Sequence, residues 1–259
     1  MYEDTGGSGP VSSYTYAWAF WQMPYAVVAV SVMSAVGPDL AEHHAKGAVE
    51  AFSARFGSGL RSILAMMIPA SVALFLLAKP VIALLLGHGN TLPKQTEVTG
   101  TALAELSLGL IGFTTFQFVV RALQSLHQAR TAFWLYLLEN LVNVGLAIIL
   151  VGAMGVPGLA LAVSVAYSAA AVAGLLLLEH RIGRLGLPGT YRPLGRVVVA
   201  SLAMGVVVAV VSNLSSAMAG PVLVARVVGA AVLGGATYVG VAAALGVRSS
   251  SRGRRPGQP

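Results

Sequence analysis

The sequence predicts an all-α fold, a polytopic membrane helix bundle with about seven transmembrane helices. Three observations predict it. Of 259 residues, 56% are hydrophobic and only 10% are charged, against about 25% charged in a soluble domain. Mean hydropathy is +0.80, so most side chains must meet lipid or other buried helices, where an unpaired charge is costly. The apolar residues also gather into runs close to the ~20 needed to cross ~30 Å of hydrocarbon as a helix.

Seven such runs follow one another: Tyr16–Gly37, Ser62–Leu86, Leu103–Val120, Ala132–Met154, Leu159–Leu178, Val197–Ala219 and Val222–Val247. A polar segment, 1–13, precedes them, the helical domain covers 14–247, and a basic tail covers 248–259. Several runs hold Pro or Gly, which membrane helices tolerate when neighbours satisfy the freed backbone groups. Lys79-Pro80 predicts a break near the end of the second run, with a short interfacial piece over Val81–Leu86. The connection from Pro38 to Arg61 is expected to be long. Within it Val49, Phe52, Phe56 and Leu60 recur at helical spacing. They predict a helix over about 45–60, either lying at the membrane surface or extending the second span. The tail RSSSRGRRPGQP is low-complexity and basic, suited to disorder and to anionic lipid headgroups.

The connections alternate in charge. Lys46, Arg55 and Arg61, then Arg121 and Arg130, then Arg181, Arg184, Arg192 and Arg196, then Arg248, Arg252, Arg254 and Arg255 hold thirteen of the sixteen Lys and Arg. Lys94 stands alone between the opposite ends, with Lys79 and Arg226 near span ends. The positive-inside rule places the C-terminus in the cytoplasm and the N-terminus outside. This distribution also argues against nucleic acid as the reason for the net charge of +7. The opening MYEDTGGSGPVSS is acidic and polar where a signal peptide would be basic and then apolar. An external N-terminus with an odd number of spans therefore suggests that a segment precedes this chain.

The chemistry of catalysis finds little support. There is no cysteine, hence no disulfide, no cysteine-held zinc and no thiol nucleophile. None of the three lysines closes a GxxxxGK[ST] loop, and no GxSxG element occurs. His43 and His44 are adjacent in EHHAK, whereas metal ligands on a helix want a spacing of three or four. They are expected in a solvated turn, as is His88 in LGHGN. No enzymatic step, metal or cofactor is expected.

Polar residues inside the runs are the better lead, because such groups face a bundle interior or a water-filled cavity. Gln22 lies in the first run and Glu105 near the start of the third. Gln117, Arg121 and Gln124 share one face of the third by their i, i+4, i+7 spacing. Glu139, Asn140 and Asn143 lie on the fourth, with Glu139 and Asn143 four apart. The candidate cavity set is Gln117, Arg121, Gln124, Gln22, Glu139 and Asn143. Against it stand snorkelling for Arg121 and Gln124 and interhelical hydrogen bonding for the asparagines. Small residues in the last run, Ala231/Gly235 and Ala236/Gly240/Ala244, predict packing faces. Tyr14, Tyr16, Trp18, Phe20 and Trp21 predict an interfacial aromatic belt.

Three segments carry a resemblance. QMPYAVVAVSVMSAVGPDLAEH, GLRSILAMMIPASVALFLLAKPVIALLLGHG and ALQSLHQARTAFWLYLLENLVNVGLAIILVGAMGVPGLALAVSVAYS are similar, in order and spacing, to motifs of the MurJ/MviN lipid II flippases. They span about residues 14–185. The resemblance implies the carboxy-terminal half of a fourteen-helix carrier of the multidrug/oligosaccharidyl-lipid/polysaccharide exporter superfamily. Such carriers have two lobes around a central cavity, alternate access, and in this family move the lipid-linked peptidoglycan precursor, lipid II, outward. The seven runs resemble the eighth to fourteenth spans, whose ends the family places as the charge pattern does. Two departures stand out. The amino-terminal lobe, which in the family supplies arginines to the substrate phosphates, is absent. Trp18, Ala19 and Gln22 stand where some members carry an Asp-Arg pair and a Glu, and the family's DTRTP turn reads Gln128-Ala129-Arg130-Thr131-Ala132.

The expectation is therefore the carboxy-terminal portion of a lipid II flippase, not active alone. Its partners would be lipid II, membrane lipids and an amino-terminal lobe or full-length partner. The alternatives are another carrier of the superfamily, for polysaccharide-lipids or drugs, and a non-transporting membrane partner or remnant, including one half of a split transporter.

Overall fold

The computed structural model describes residues 10–87, 93–183, 185, 191–213 and 220–246. The described residues are almost wholly helical. In chain order they form α1 (Pro10–Pro24), a π-helical turn (Tyr25–Ala29), α2 (Val30–Ala45), α3 (Val49–Leu86), α4 (Pro93–Leu108), α5 (Leu110–Ser125), α6 (Ala129–Met154), α7 (Val156–Ile182), α8 (Tyr191–Asn213) and α9 (Gly220–Ala244). Six helices are long and apolar enough to cross a membrane, and the bent pair α4–α5 makes seven.

The first span is longer than the apolar run that announces it. α1, the π turn and α2 form one element over Val11–Ala45. The helix already begins at Pro10, so residues 10–13 of the polar N-terminal segment belong to it. Pro24 has no N–H to give to the preceding turn, and the wide turn at Tyr25–Ala29 follows it directly. Pro38 lies inside α2 and does not end it. The expected long connection from Pro38 to Arg61 is therefore a tight turn over residues 46–48.

That turn leads straight into α3, which runs unbroken through Pro69 and Pro80 for 38 residues, about 57 Å at 1.5 Å per residue. The expected break at Lys79-Pro80 is absent, and the segment 45–60 is not a separate surface helix. Its apolar stripe points inward. Phe52, Phe56 and Leu60 are buried, and Phe56 stacks on Phe118 of α5 with ring centroids 4.8 Å apart. Gly59 allows this approach, since a Cβ there would lie 2.7 Å from the Phe118 ring. Arg55 Nε donates to Asp39 Oδ2 of α2 at 2.7 Å, tying the two arms of the turn together.

The third expected span is two helices. α4 and α5 meet at Gly109 with a bend of 50°. The bend strands backbone carbonyls, and serines on neighbouring helices take them up. Ser164 Oγ of α7 donates to the Glu105 carbonyl at 2.7 Å, and Ser71 Oγ of α3 donates to the Ser107 carbonyl at 2.6 Å.

One core joins α1 to α7, with α6 entering it through Ala132 and Leu135. Trp21 is at its centre with no exposed surface, against Phe113 at 4.7 Å and Tyr167 at 6.5 Å. It is thus not part of an interfacial belt: a ring one turn from Trp18 on a packed helix has protein, not headgroups, beside it. The α8–α9 hairpin leans on the later part of α3 through Leu77, Met204, Val208 and Ala230. Tyr238 Oη of α9 donates to the Ala65 carbonyl of α3. That carbonyl lacks its own i+4 amide because residue 69 is proline. The packing stripe of α9 is Leu223, Val227, Ala230 and Gly234, and a Cβ at Gly234 would come within 2.5 Å of Val208. Ala231, Gly235, Ala236, Gly240 and Ala244 are exposed. The expected small-residue packing faces were thus rotated from the real one, which mixes large and small side chains. His88 and the tail 248–259 lie outside the described residues.

Candidate functional site

The open side of the bundle is built by α5 and α6 with the π turn of the first span. α6 is the least covered helix. Its inward stripe is only Ala132, Leu135 and Glu139, and Leu135 packs toward Gly174 of α7. Its outward face, including Phe133, Leu141, Val144 and Ile148, is exposed.

The structure brings the α5 and α6 candidates together. Tyr136 Oη donates to Gln117 Oε1 at 2.9 Å, joining the two helices. Gln117 is half-buried, whereas Arg121 and Gln124, further along the same face, are exposed. Arg121 forms no ion pair among the described residues. Its guanidinium lies within electrostatic reach of the Tyr25 and Tyr136 hydroxyls. Leu126 lies five positions further on, about 7.5 Å along a helix, so Arg121 stands near the end that carries the α5–α6 turn.

Glu139 follows a different pattern from the one its neighbours suggested. It is 3% exposed and continues the inward stripe of α6. Asn140 Nδ2 donates to Glu139 Oε2 at 3.0 Å and also to the Tyr136 carbonyl at 2.8 Å. The carboxylate lies within electrostatic reach of Tyr136 and Tyr167. Asn143, one turn on, is half-buried. Gln22 is half-buried on α1, next to Trp21 and three residues before Tyr25. No side-chain hydrogen bond holds Gln22, Gln124 or Asn143 among the described residues, so nothing joins these three to the Gln117–Tyr136 pair.

An aromatic floor was missed by sequence reasoning. Tyr25 packs on Phe113 at 4.7 Å, Phe113 on Tyr167 at 4.9 Å, and Phe116 on Tyr136 at 5.0 Å. Tyrosines in apolar runs read as ordinary core or interface residues. What could have flagged Tyr136 was its spacing of three and four from Glu139 and Asn140. No group of three or more metal-binding side chains occurs among the described residues. The arrangement offers a guanidinium, phenolic hydroxyls and an amide on one side, and a shielded carboxylate behind them.

A multi-pass membrane helix bundle, with polar and aromatic groups on one open side, is the class of protein that this fold and site define. The family model described as lipid II flippase MurJ matches residues 5–228, and the chain belongs to that family. Among its relatives is a probable lipid II flippase MurJ of Borreliella burgdorferi, 26% identical over 61% of this chain and 31% of that protein. Another is that of Thermotoga maritima, 26% identical over 77% of this chain and 40% of that protein. The lipid II flippase MurJ of Thermosipho africanus is 29% identical over 58% and 31%. The chain thus spans well under half the length of these relatives. A solved structure of a lipid II flippase MurJ in an inward closed conformation matches 92% of this chain and 48% of its own, with TM-score 0.76 and 22% identity. That likeness establishes the fold.

Proposed function

We propose that this chain is the carboxy-terminal portion of a lipid II flippase, a carrier of the lipid-linked peptidoglycan precursor across the cytoplasmic membrane for cell-wall synthesis. The observation that carries the reading is the family match over 5–228, joined to a polar side that the bundle leaves open. A charged face toward lipid is costly, so Arg121 and its neighbours call for a second wall. The partner lobe is that wall, and access alternates by rocking of one lobe against the other. The chain by itself does not flip lipid, and no bond is made or broken in the substrate.

In this reading Gln117, Arg121, Gln124, Gln22, Glu139 and Asn143 line or support the cavity. Arg121 meets the pyrophosphate of the substrate, because a guanidinium gives paired hydrogen bonds to such an oxyanion. Tyr136 fixes Gln117 beside it, and Glu139 acts from behind, through Asn140 and Tyr136, as a positioning group. The N-terminus is outside and the C-terminus cytoplasmic, as the basic connections suggest. The test is complementation of flippase-depleted cells. The chain alone should fail, and co-expression with an amino-terminal lobe of a relative should restore growth. Rescue by the chain alone would refute the reading, and so would failure of every lobe pairing despite membrane insertion of both parts.

A further inference from the structure

At the end of the bundle that carries the α5–α6 turn, that turn, the turn after α2 and the end of α7 line a pocket of about 310 Å³. None of the candidate cavity residues lines it. Its floor is apolar, with Phe52, Leu126 and Ile182, and its rim carries Arg181, His43 and His44. Among the described residues no carboxylate lines it.

The two turns are built alike. In the first, Gly47 takes φ +65° and the Ala48 amide bonds back to the His43 carbonyl at 2.9 Å. In the second, His127 takes φ 57° and the Gln128 amide bonds back to the Leu123 carbonyl at 2.9 Å. A histidine in the left-handed region costs on the order of 1 kcal/mol or more, and its ring is placed 5.9 Å from that of His44. Each turn starts a helix at once. The N-cap side chains of α3 and α6, Ala48 and Gln128, make no capping hydrogen bond. Gly47, Val49 and Gln128 line the pocket, so the starts of α3 and α6 face it beside the ends of α2, α5 and α7. The partial charges of these helix termini oppose one another, and the anion-binding groups are the Arg181 guanidinium and the imidazole N–H groups of His43 and His44.

We propose that this pocket binds the phosphate of an anionic phospholipid headgroup. The rim suits a phosphate diester, and the apolar floor suits the glycerol and first methylenes that a free anion lacks. Basic pockets between helix ends at the cytoplasmic side recognise lipid headgroups in this way. The inference does not rest on transport, and its test uses binding alone.

The full chain in detergent micelles is titrated with phosphatidylglycerol or phosphatidylcholine of the same acyl chains, and bound lipid is counted by native mass spectrometry. Phosphatidylglycerol should bind roughly fivefold tighter or more. The double variant Arg181→Gln/His44→Gln should lose the larger part of that preference, the basic tail supplying the remainder. Both side chains are exposed, and circular dichroism checks that helicity is kept. Lys46→Gln removes a charge from the same end without touching the pocket and should leave the preference intact. Equal binding of both lipids by the unaltered chain would overturn the proposal, as would a preference undiminished in the double variant. Inorganic phosphate displacing phosphatidylglycerol at low millimolar concentration would overturn the lipid as the source of the anion.

Discussion

Gly109 and Ser164 pack backbone against backbone: a methyl group at 109 would lie 2.4 Å from Ser164 Cα and 2.5 Å from its Oγ. The same serine caps the carbonyl of Glu105 that the 50° bend leaves unpaired. One contact thus makes room for the bend and satisfies it.

Gly109→Ala is expected to cost about 1–3 kcal/mol, as overpacking in a closed core does, although alanine is the better helix former. Ser164→Ala should cost less, about 0.6–1.7 kcal/mol, the range for interhelical hydrogen bonds in membranes. Unfolding in mixed micelles measures both. If Gly109→Ala is as stable as the unaltered chain, α7 has room to move and the close approach does not hold the bend.

Tyr238 and Pro69 should be energetically coupled. Tyr238→Phe removes the donor to the Ala65 carbonyl and should destabilise the α8–α9 hairpin by about 0.6–1.7 kcal/mol. Pro69→Ala returns an amide that can reach the same carbonyl within α3. In the double variant the cost of Tyr238→Phe should fall by at least half. A double-mutant cycle measures that coupling, and additive costs would show that the hydroxyl does not serve the proline's missing donor.

Arg121 distinguishes substrate contact from snorkelling. A snorkelling arginine should accept lysine with little effect, whereas a paired contact to an oxyanion should not. In a complete two-lobe transporter, Arg121→Lys and Arg121→Ala should both lower flipping at least tenfold at unchanged membrane abundance. Tyr136→Phe, which releases Gln117, should have a smaller effect in the same direction. Normal flipping by both arginine variants would dismiss the site, and abundance falling in step with activity would make Arg121 structural.

Orientation is tested with single cysteines, since the chain has none of its own. Val11, Glu97, Lys46 and Arg130 are exposed and suit the purpose. An impermeant thiol reagent should label cysteines at Val11 and Glu97 in intact cells, and those at Lys46 and Arg130 only after the membrane is opened. Labelling at Lys46 or Arg130 from outside would reverse the topology.

Composition and the lengths of the apolar runs determined that this chain is a multi-pass helix bundle, because continuous apolar runs of about 20 residues match a helix that satisfies its own backbone in lipid, whereas a barrel strand spans with about 9–11 and alternates in polarity. The motif order determined the family. The sequence also marked Gln117 and Arg121 as one face, since helical spacing is local. It did not show where helices stop. Pro38 and Pro80 looked like the ends of helices and are helix interior, while Gly109 marks the true bend. Whether a proline or glycine interrupts a membrane helix depends on which neighbour satisfies the freed group, and Tyr238 and Ser164 come from far along the chain. For the same reason only the tertiary structure decided that Glu139 is shielded, that Tyr136 joins Gln117, and that Phe52 and Phe56 face protein rather than lipid. In a chain this apolar, periodicity distinguishes faces of a helix but not what each face meets.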